Sequence, residues 1–228
     1  MVNTLKLGMD AWGKEAHIKA AVLQKLREQG SITRRATIAN EFAVGRSSVR
    51  ADLAILGSRF VGVEIKSERD SLRRLQRQLA VYKGHFDQTI VVLAARHLEA
   101  ASQFVPQGVD IWRFDSDGSL HVLSEVSSDV APEDDAFTGL LTQAEAKRWS
   151  HLSPRMALHK AFQEKYGPTS KAFWYEVARK KITSDHLRIL SRFLIEREEE
   201  RLWHEVRAAE WSRWEEHARV VLPRLVAA

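Results

Sequence analysis

The sequence predicts an α/β domain followed by an all-helical region, and three observations carry that prediction. Between residues 14 and 126, segments with helical periodicity alternate with short apolar runs of strand length. The turn signals Gly45-Arg46-Ser47-Ser48, Gly57-Ser58-Arg59 and Asp115-Ser116-Asp117-Gly118 join several of those runs as hairpins. Beyond the acidic stretch 127–135, which contains one proline, no strand pattern recurs. The chain is therefore expected to divide into an α/β domain over 1–126, a linker over 127–138 and a helical domain over 139–228.

Composition narrows the class before any motif is read. At 228 residues, 44% hydrophobic and 29% charged, the chain has globular composition and length for one large domain or two modest ones. It has no cysteine, which excludes a disulfide framework, cysteine-ligated zinc and a thiol nucleophile. The first ten residues lack the apolar core of a signal peptide, and no stretch approaches the roughly 20 apolar residues of a membrane span. A cytoplasmic protein with no membrane partner is expected. A formal charge of +5 and a pI near 9.5 favour a polyanionic partner. Residues 1–126 hold 18 Lys and Arg against 14 Asp and Glu, and residues 127–228 hold 17 against 16, so the excess lies in the α/β region.

In chain order, residues 1–13 are expected to be an irregular lead-in. Residues 14–29 read as an amphipathic helix, with Ile18, Val22 and Leu26 at four-residue spacing and Gly30 as its stop. Residues 37–44 suit either a short helix or a strand; Thr37, Ile38, Phe42 and Val44, leading into a turn signal, make the strand the preferred reading. Residues 49–56 and 60–66 form a hairpin about Gly57-Ser58-Arg59. Residues 67–84 form a basic helix, capped by Ser67 and Asp70, that carries Arg69, Arg73, Arg74, Arg77 and Lys83. Leu72, Leu75 and Leu79 are its buried stripe, and Arg74, Gln78 and Tyr82 lie on another. The apolar run 88–95 reads as a central strand covered on both faces. A short helix over 97–104 and a hairpin of 109–114 with 120–126 complete the sheet. Helices are then expected over 142–149, 154–166, 170–180 and 185 to about 221, broken at Pro154, Gly167-Pro168 and Thr183-Ser184. The seven tryptophans read mostly as core anchors.

The first hairpin carries charges that the interior of a sheet does not need. Strand side chains alternate faces, so Arg50 and Asp52 share one side, as do Glu64 and Lys66. A three-residue loop closed by Leu56 and Phe60 sets Asp52 opposite Glu64 and Arg50 opposite Lys66. The other face, Val49, Ala51, Leu53, Ile55, Val61, Val63 and Ile65, is wholly apolar. A four-residue loop closed by Val44 and Val49 sets Glu41 opposite Asp52, so Glu41, Asp52 and Glu64 form one row across three strands. Like charges this close repel unless a cation neutralises them, and a bound metal ion is the expectation.

This order of elements, with Asp on one strand of a hairpin and Glu-x-Lys on the next, resembles the PD-(D/E)xK nuclease superfamily. The resemblance covers about residues 14–95 and the sheet out to Val126. Arg50-Ala51-Asp52, Glu64-Ile65-Lys66-Ser67 and Asp70 are similar to a small bacterial branch linked to DNA repair or mobile elements. Gln78-x-x-x-Tyr82 resembles a helix motif that many of these nucleases carry, while Ala51 stands where the proline of the name would be. The resemblance implies a restriction-endonuclease-like fold, a mixed sheet flanked by helices, and a Mg2+-dependent deoxyribonuclease in which Mn2+ substitutes. Asp52 and Glu64 would ligate the ion together with the backbone carbonyl of Ile65, and Glu41 would hold a metal-bound water or a second ion. Lys66 would orient or help deprotonate the attacking water. Gln78, Tyr82 and Arg74 would face the scissile strand, Arg50 and Arg73 would contact phosphates, and the small residues Ala54 and Gly62 would leave room for substrate.

Phosphodiester hydrolysis gathers charge at phosphorus and takes its nucleophile from water, which is why hard carboxylate ligands and a lysine suit it. The helical region is expected to choose the substrate, form a homodimer or recruit a protein partner. Two alternatives stand beside the DNA nuclease: a catalytically silent nucleic-acid-binding or adaptor protein on the same fold, and an RNA-cleaving toxin or defence effector. The nine histidines include no H-E-x-x-H pattern, and Gly45, Gly57 and Gly62 build no phosphate-binding loop.

Overall fold

Apolar residues on alternate positions of the strands require cover on both faces of a sheet, and that requirement organises the molecule. The computed structural model describes residues 2–126 and 132–191 and positions 203, 207, 211, 213 and 214, with side chains from Glu15 onward. Helix α1 (Val2–Glu28) leads into strands β1 (Thr37–Ala43), β2 (Arg50–Leu56) and β3 (Phe60–Lys66). A 3-10 turn at Leu72–Arg74 opens helix α2 (Leu75–Lys83), followed by β4 (Gln88–Ala94), a 3-10 turn (Ala95–His97) and α3 (Leu98–Ser102). Strands β5 (Val109–Phe114) and β6 (Leu120–Ser124) close a six-stranded mixed sheet whose spatial order follows the chain. Pairing is antiparallel for β1–β2, β2–β3 and β5–β6 and parallel for β3–β4 and β4–β5. The helical stretch adds α4 (Asp134–Gly139), α5 (Gln143–Arg148), α6 (Pro154–Glu176) and a 3-10 segment at Ser184–Leu190. No helix among the described residues is long and apolar enough to cross a membrane.

Alternation along β4 shows how the faces are covered. Ile90 and Val92 point into a core made with Ile18, Val22 and Leu26 of α1, whereas Val91 and Leu93 point into one made with Leu75 and Leu79 of α2. A third core, rich in aromatics, gathers Phe42, Phe60, Tyr82, Phe86, Phe162 and Tyr166. The Phe60 and Phe86 ring centroids lie 4.6 Å apart there.

Helix α6 decides the domain boundary. Strand β1 is an edge strand, and its outward backbone groups need partners. Ser170 Oγ accepts the Ile38 N–H at 2.8 Å, and Trp174 Nε1 donates to the Ala36 carbonyl at 2.7 Å. Along its length α6 supplies Leu158, Phe162 and Tyr166 to the aromatic core and Phe173 and Trp174 to the α1 core. The first compact unit therefore runs Met1–Ser191, and the second is Arg192–Ala228. The expected boundary at 127–138 is corrected: the helices after it cover an open edge of the sheet and belong to the same unit. Residues 127–131 of the expected linker lie outside the described residues.

Other expectations also change. Helix α1 starts at Val2 and runs through Gly8 and Gly13, where a lead-in was expected. Ser67 and Asp70 form a turn, the Asp70 carboxylate accepting the Ser67 N–H and hydroxyl, and it is Ser71 that caps the 3-10 turn leading into α2. Pro168 sits inside α6, which does not break there. The helix expected from residue 185 is a 3-10 segment that buries Leu187 and Leu190, with extended backbone at Ser191. The remainder of that expected helix lies outside the described residues, save five helical positions. Within the second unit, Trp203, Trp211 and Trp214 are exposed and are not core anchors.

Candidate functional site

Both hairpin registers are as expected, with Leu56 opposite Phe60 and Leu53 opposite Val63, and with Asn40 opposite Leu53 and Phe42 opposite Ala51. In those registers Asp52 lies between Glu41 on one neighbour and Glu64 on the other, and there the regular ladder stops. Pairing of β2 with β3 ends at Leu53 and Val63, and the Ile65 N–H, instead of meeting a backbone carbonyl, donates to Asp52 Oδ2 at 2.6 Å. On β1, Glu41 adopts φ 61°, the one positive φ of a non-glycine residue among the described residues. A left-handed conformation costs such a residue about 1–2 kcal/mol, and the surrounding pairing holds it there.

This kink reverses the facing of both strands. Ala39 and Phe42 lie in the same core although they are three residues apart, and so do Ala51 and Ala54. The wholly apolar face expected of the hairpin is thus divided: Leu53 and Ile55 face α1, while Val49 and Ala51 join the aromatic core. The reversal carries Glu41 to α1. There Lys19 Nζ contacts Glu41 Oε1 at 2.5 Å, Glu15 Oε1 at 2.7 Å and Asn40 Oδ1 at 2.9 Å.

Glu64 is held from the other face. Tyr82 of α2 donates to Glu64 Oε2 at 2.5 Å and lies 3.0 Å from the Arg50 carbonyl, and Gln78 beside the same carboxylate favours its charged form. Lys66 Nζ contacts Glu64 Oε1 at 2.5 Å. Glu64 is 2% exposed and Lys66 7%, so the pair is part of the interior and not two solvated strand-end charges.

A cleft of about 570 Å3 brings together Glu15, Glu41, Arg50, Asp52, Glu64, Ile65, Lys66, Asp70, Arg74, Arg77 and Gln78. Burial raises the pKa of Asp52 well above the ordinary carboxylate range, and Glu64 adds to the rise while Lys19 opposes it. Glu64 is raised too, by burial first, against the pull of Lys66, Tyr82 and Gln78. Burial works against the charge on Lys19, but Glu15, Glu41 and Asp52 outweigh it and its pKa rises. Burial and the Glu64 charge keep the Tyr82 phenol protonated. Two buried carboxylates that the site's own cations leave incompletely neutralised form a donor set that fits a divalent ion. The buried Gln78 Oε1 has no hydrogen-bond partner among the described residues and can receive a donor from the cleft.

Of the residues singled out from sequence, Glu41, Arg50, Asp52, Glu64, Ile65, Lys66, Arg74 and Gln78 meet in this cleft. Tyr82 is fully buried behind Glu64 and holds that carboxylate, so it does not face a substrate strand. Arg73 is exposed on the 3-10 turn outside the cleft lining. The room expected at Gly62 and Ala54 is filled: a Cβ on Gly62 would lie 2.4 Å from Phe86, and Ala54 is fully buried. Glu15, Lys19 and Arg77 are additions. The first two had a signal, since residues 15 and 19 share the helical stripe of Ile18, Val22 and Leu26, where a buried face calls for apolar side chains.

The sequence model of the family described as Bacteriophage P4 protein cII matches residues 10–191, ending where the first compact unit ends. Protein cII of Enterobacteria phage P4 is 37% identical over 106 residues, which make up 46% of this chain. The match spans 40% of that relative's length. Among solved structures, the SPO1766 protein of unknown function from Silicibacter pomeroyi has a TM-score of 0.38 at 15% identity, covering 58% of this chain and 87% of its own.

Proposed function

The chain belongs to the bacteriophage P4 protein cII family. We propose that the cleft, which lies within the matched residues, is the site of a metal-dependent nuclease acting on DNA. The observation that carries this reading is the buried meeting of Asp52 and Glu64, both with raised pKa values, beside Lys66 at the point where the sheet opens. The order α1-β1-β2-β3-α2-β4, with Asp on β2 and Glu-x-Lys on β3, supports a restriction-endonuclease-like assignment of the fold.

Asp52 and Glu64, with the Ile65 carbonyl, would hold Mg2+ or Mn2+, which supplies Lewis acidity toward the scissile phosphate when bound. Lys66 orients the attacking water and offsets phosphate charge. Tyr82 fixes Glu64 from behind, Gln78 lines the cleft beside it, and the rim residues Arg50, Arg74 and Arg77 bind the backbone of the substrate. On this reading the protein would act in the cytoplasm, in DNA repair or the life of a mobile element, and the helical region from residue 139 onward would choose the substrate, form a dimer or contact a partner.

A second reading has its own observation. Lys66 on Glu64 and Lys19 on Glu15 and Glu41 neutralise part of the site from within, as a silent nucleic-acid-binding protein would need. Purified protein with Mg2+ or Mn2+, offered duplex, single-stranded and branched DNA and RNA, separates the readings. Cleavage of DNA that disappears with chelator, and in folded Asp52→Ala and Lys66→Ala variants, is expected. Binding without cleavage on every substrate would instead favour the second reading, and cleavage confined to RNA would point to an RNA-directed effector.

A further inference from the structure

We propose that Lys19 is a built-in second cation of the site, so that the cleft takes one divalent ion and not two. The inference rests on the metal-dependent reading above and specifies how many ions that reading needs.

Glu15, Glu41 and Asp52 present carboxylate oxygens that all lie within 4.8 Å of one another, a spacing that would suit an ion. That place is taken. Lys19 is 4% exposed, and its three ammonium donors meet three acceptors: Glu41 at 2.5 Å, Glu15 at 2.7 Å and Asn40 at 2.9 Å. A buried ammonium satisfied in this way is part of the scaffold, and two structural features commit it. Glu15 and Lys19 are one turn apart on α1, so the helix delivers acid and base together. Glu41 reaches Lys19 through its left-handed backbone, in a conformation that a regular strand would not adopt.

Charge balance points the same way. Five carboxylates line the cleft, Glu15, Glu41, Asp52, Glu64 and Asp70, the last an exposed group that accepts the Ser67 N–H and hydroxyl. Lys19 and Lys66 return two positive charges, each at contact distance from its partners. Of the three strand carboxylates Glu41, Asp52 and Glu64, Asp52 alone has no ion pair among the described residues, which leaves one place for a divalent ion. Arg50, 3.8 Å from Glu41 and 65% exposed at its side chain, is screened by solvent and weighs little in this balance. Lys19 is buried and lies outside the cleft lining, so it is a positioning residue: it holds Glu15 and Glu41 in place and excludes a second ion from them.

The test counts Mn2+ bound to the full chain by calorimetric titration and by electron paramagnetic resonance. One ion per wild-type chain, with an isolated-ion spectrum, is expected. Lys19→Met is expected to bind two, with the spin coupling of a carboxylate-sharing pair. Glu15→Gln combined with Lys19→Met removes one charge of each sign and is expected to return the count to one. Two ions on the wild type, or one on Lys19→Met at unchanged affinity, would overturn the inference while leaving the nuclease reading standing. A folded wild-type chain that binds no Mn2+ would overturn both. Where Lys19→Met does not fold without metal, refolding with two Mn2+ per chain supports the inference and refolding with one overturns it.

Discussion

Tyr82 on α2 donates its phenolic hydrogen to Glu64 Oε2 on β3 at 2.5 Å, so the helix after the hairpin fixes a carboxylate that the hairpin delivers. Lys66 takes the other oxygen of the same group. Because a hydrogen bond to a buried charge contributes about 1.5–3 kcal/mol, Tyr82→Phe is expected to lower stability by that amount. It is also expected to weaken Mn2+ binding about 10–100-fold, as losses around a metal ligand do. Chemical denaturation and a metal titration on the same variant check the two effects separately.

Stability of the metal-free protein is expected to fall with rising pH. Asp52 and Glu64 have folded pKa values above their ordinary values of 3.8 and 4.5, so the folded state holds their protons more tightly than the unfolded chain does. Their contribution is fully present below those ordinary values and is lost as pH rises through the raised ones. Asp52→Asn keeps an acceptor for the Ile65 N–H and removes the buried charge. It is expected to be more stable than wild type at pH 7 without metal, and the gap is expected to close when Mn2+ is added. Urea titrations across pH, with and without Mn2+, measure this. Wild type and Asp52→Asn of equal stability at every pH would sink the account.

Asp87 works with the opposite sign. Burial raises its pKa, but Arg155 Nη2 at 2.6 Å and the Phe60 N–H outweigh that, and the net shift is downward. Its contribution is present above the ordinary carboxylate value and is lost in acid as pH falls through the lowered one. Arg155→Met is expected to weaken the protein at neutral pH and to leave it less sensitive to acid, read from thermal melts at pH 7 and pH 3.

Gly62→Ala is expected to lower stability by about 1–3 kcal/mol through overpacking against Phe86, a ring confined by Phe42, Phe60 and Tyr82. Metal binding is expected to stay at the wild-type level, since Gly62 borders the aromatic core and not the cleft. Unchanged stability with weakened nucleic-acid binding would restore the substrate-space reading.

A fragment of residues 1–126 is expected not to unfold cooperatively, whereas 1–191 is expected to behave like the full chain. The shorter piece bares the β1 edge and uncovers Phe42 and Phe60, 5% and 1% exposed in the intact unit. Circular dichroism melts and size-exclusion chromatography of both fragments check it.

The hairpin registers were legible because they depend on loop length and strand alternation alone. Once Leu56 faces Phe60 across a three-residue loop, Asp52 and Glu64 can only be neighbours. The same local rules placed β1 to β6 and α2 and brought Glu41, Asp52, Glu64 and Lys66 together. Elsewhere local rules misled: Pro168 and the acidic stretch at 127–135 read as breaks, yet α6 runs unbroken through the proline and packs on β1. That outcome depends on backbone groups of an edge strand left without partners, and nothing in the sequence near residue 168 records them. The reversal of facing at Glu41 is likewise invisible to a period of two, and it is what turns Glu41 toward Lys19. By itself, then, the sequence determined the row of carboxylates on β1, β2 and β3. Only the tertiary structure decided which cations meet that row, because Lys19 and Tyr82 arrive from helices on opposite faces of the sheet, brought there by burial of apolar surface and not by proximity along the chain.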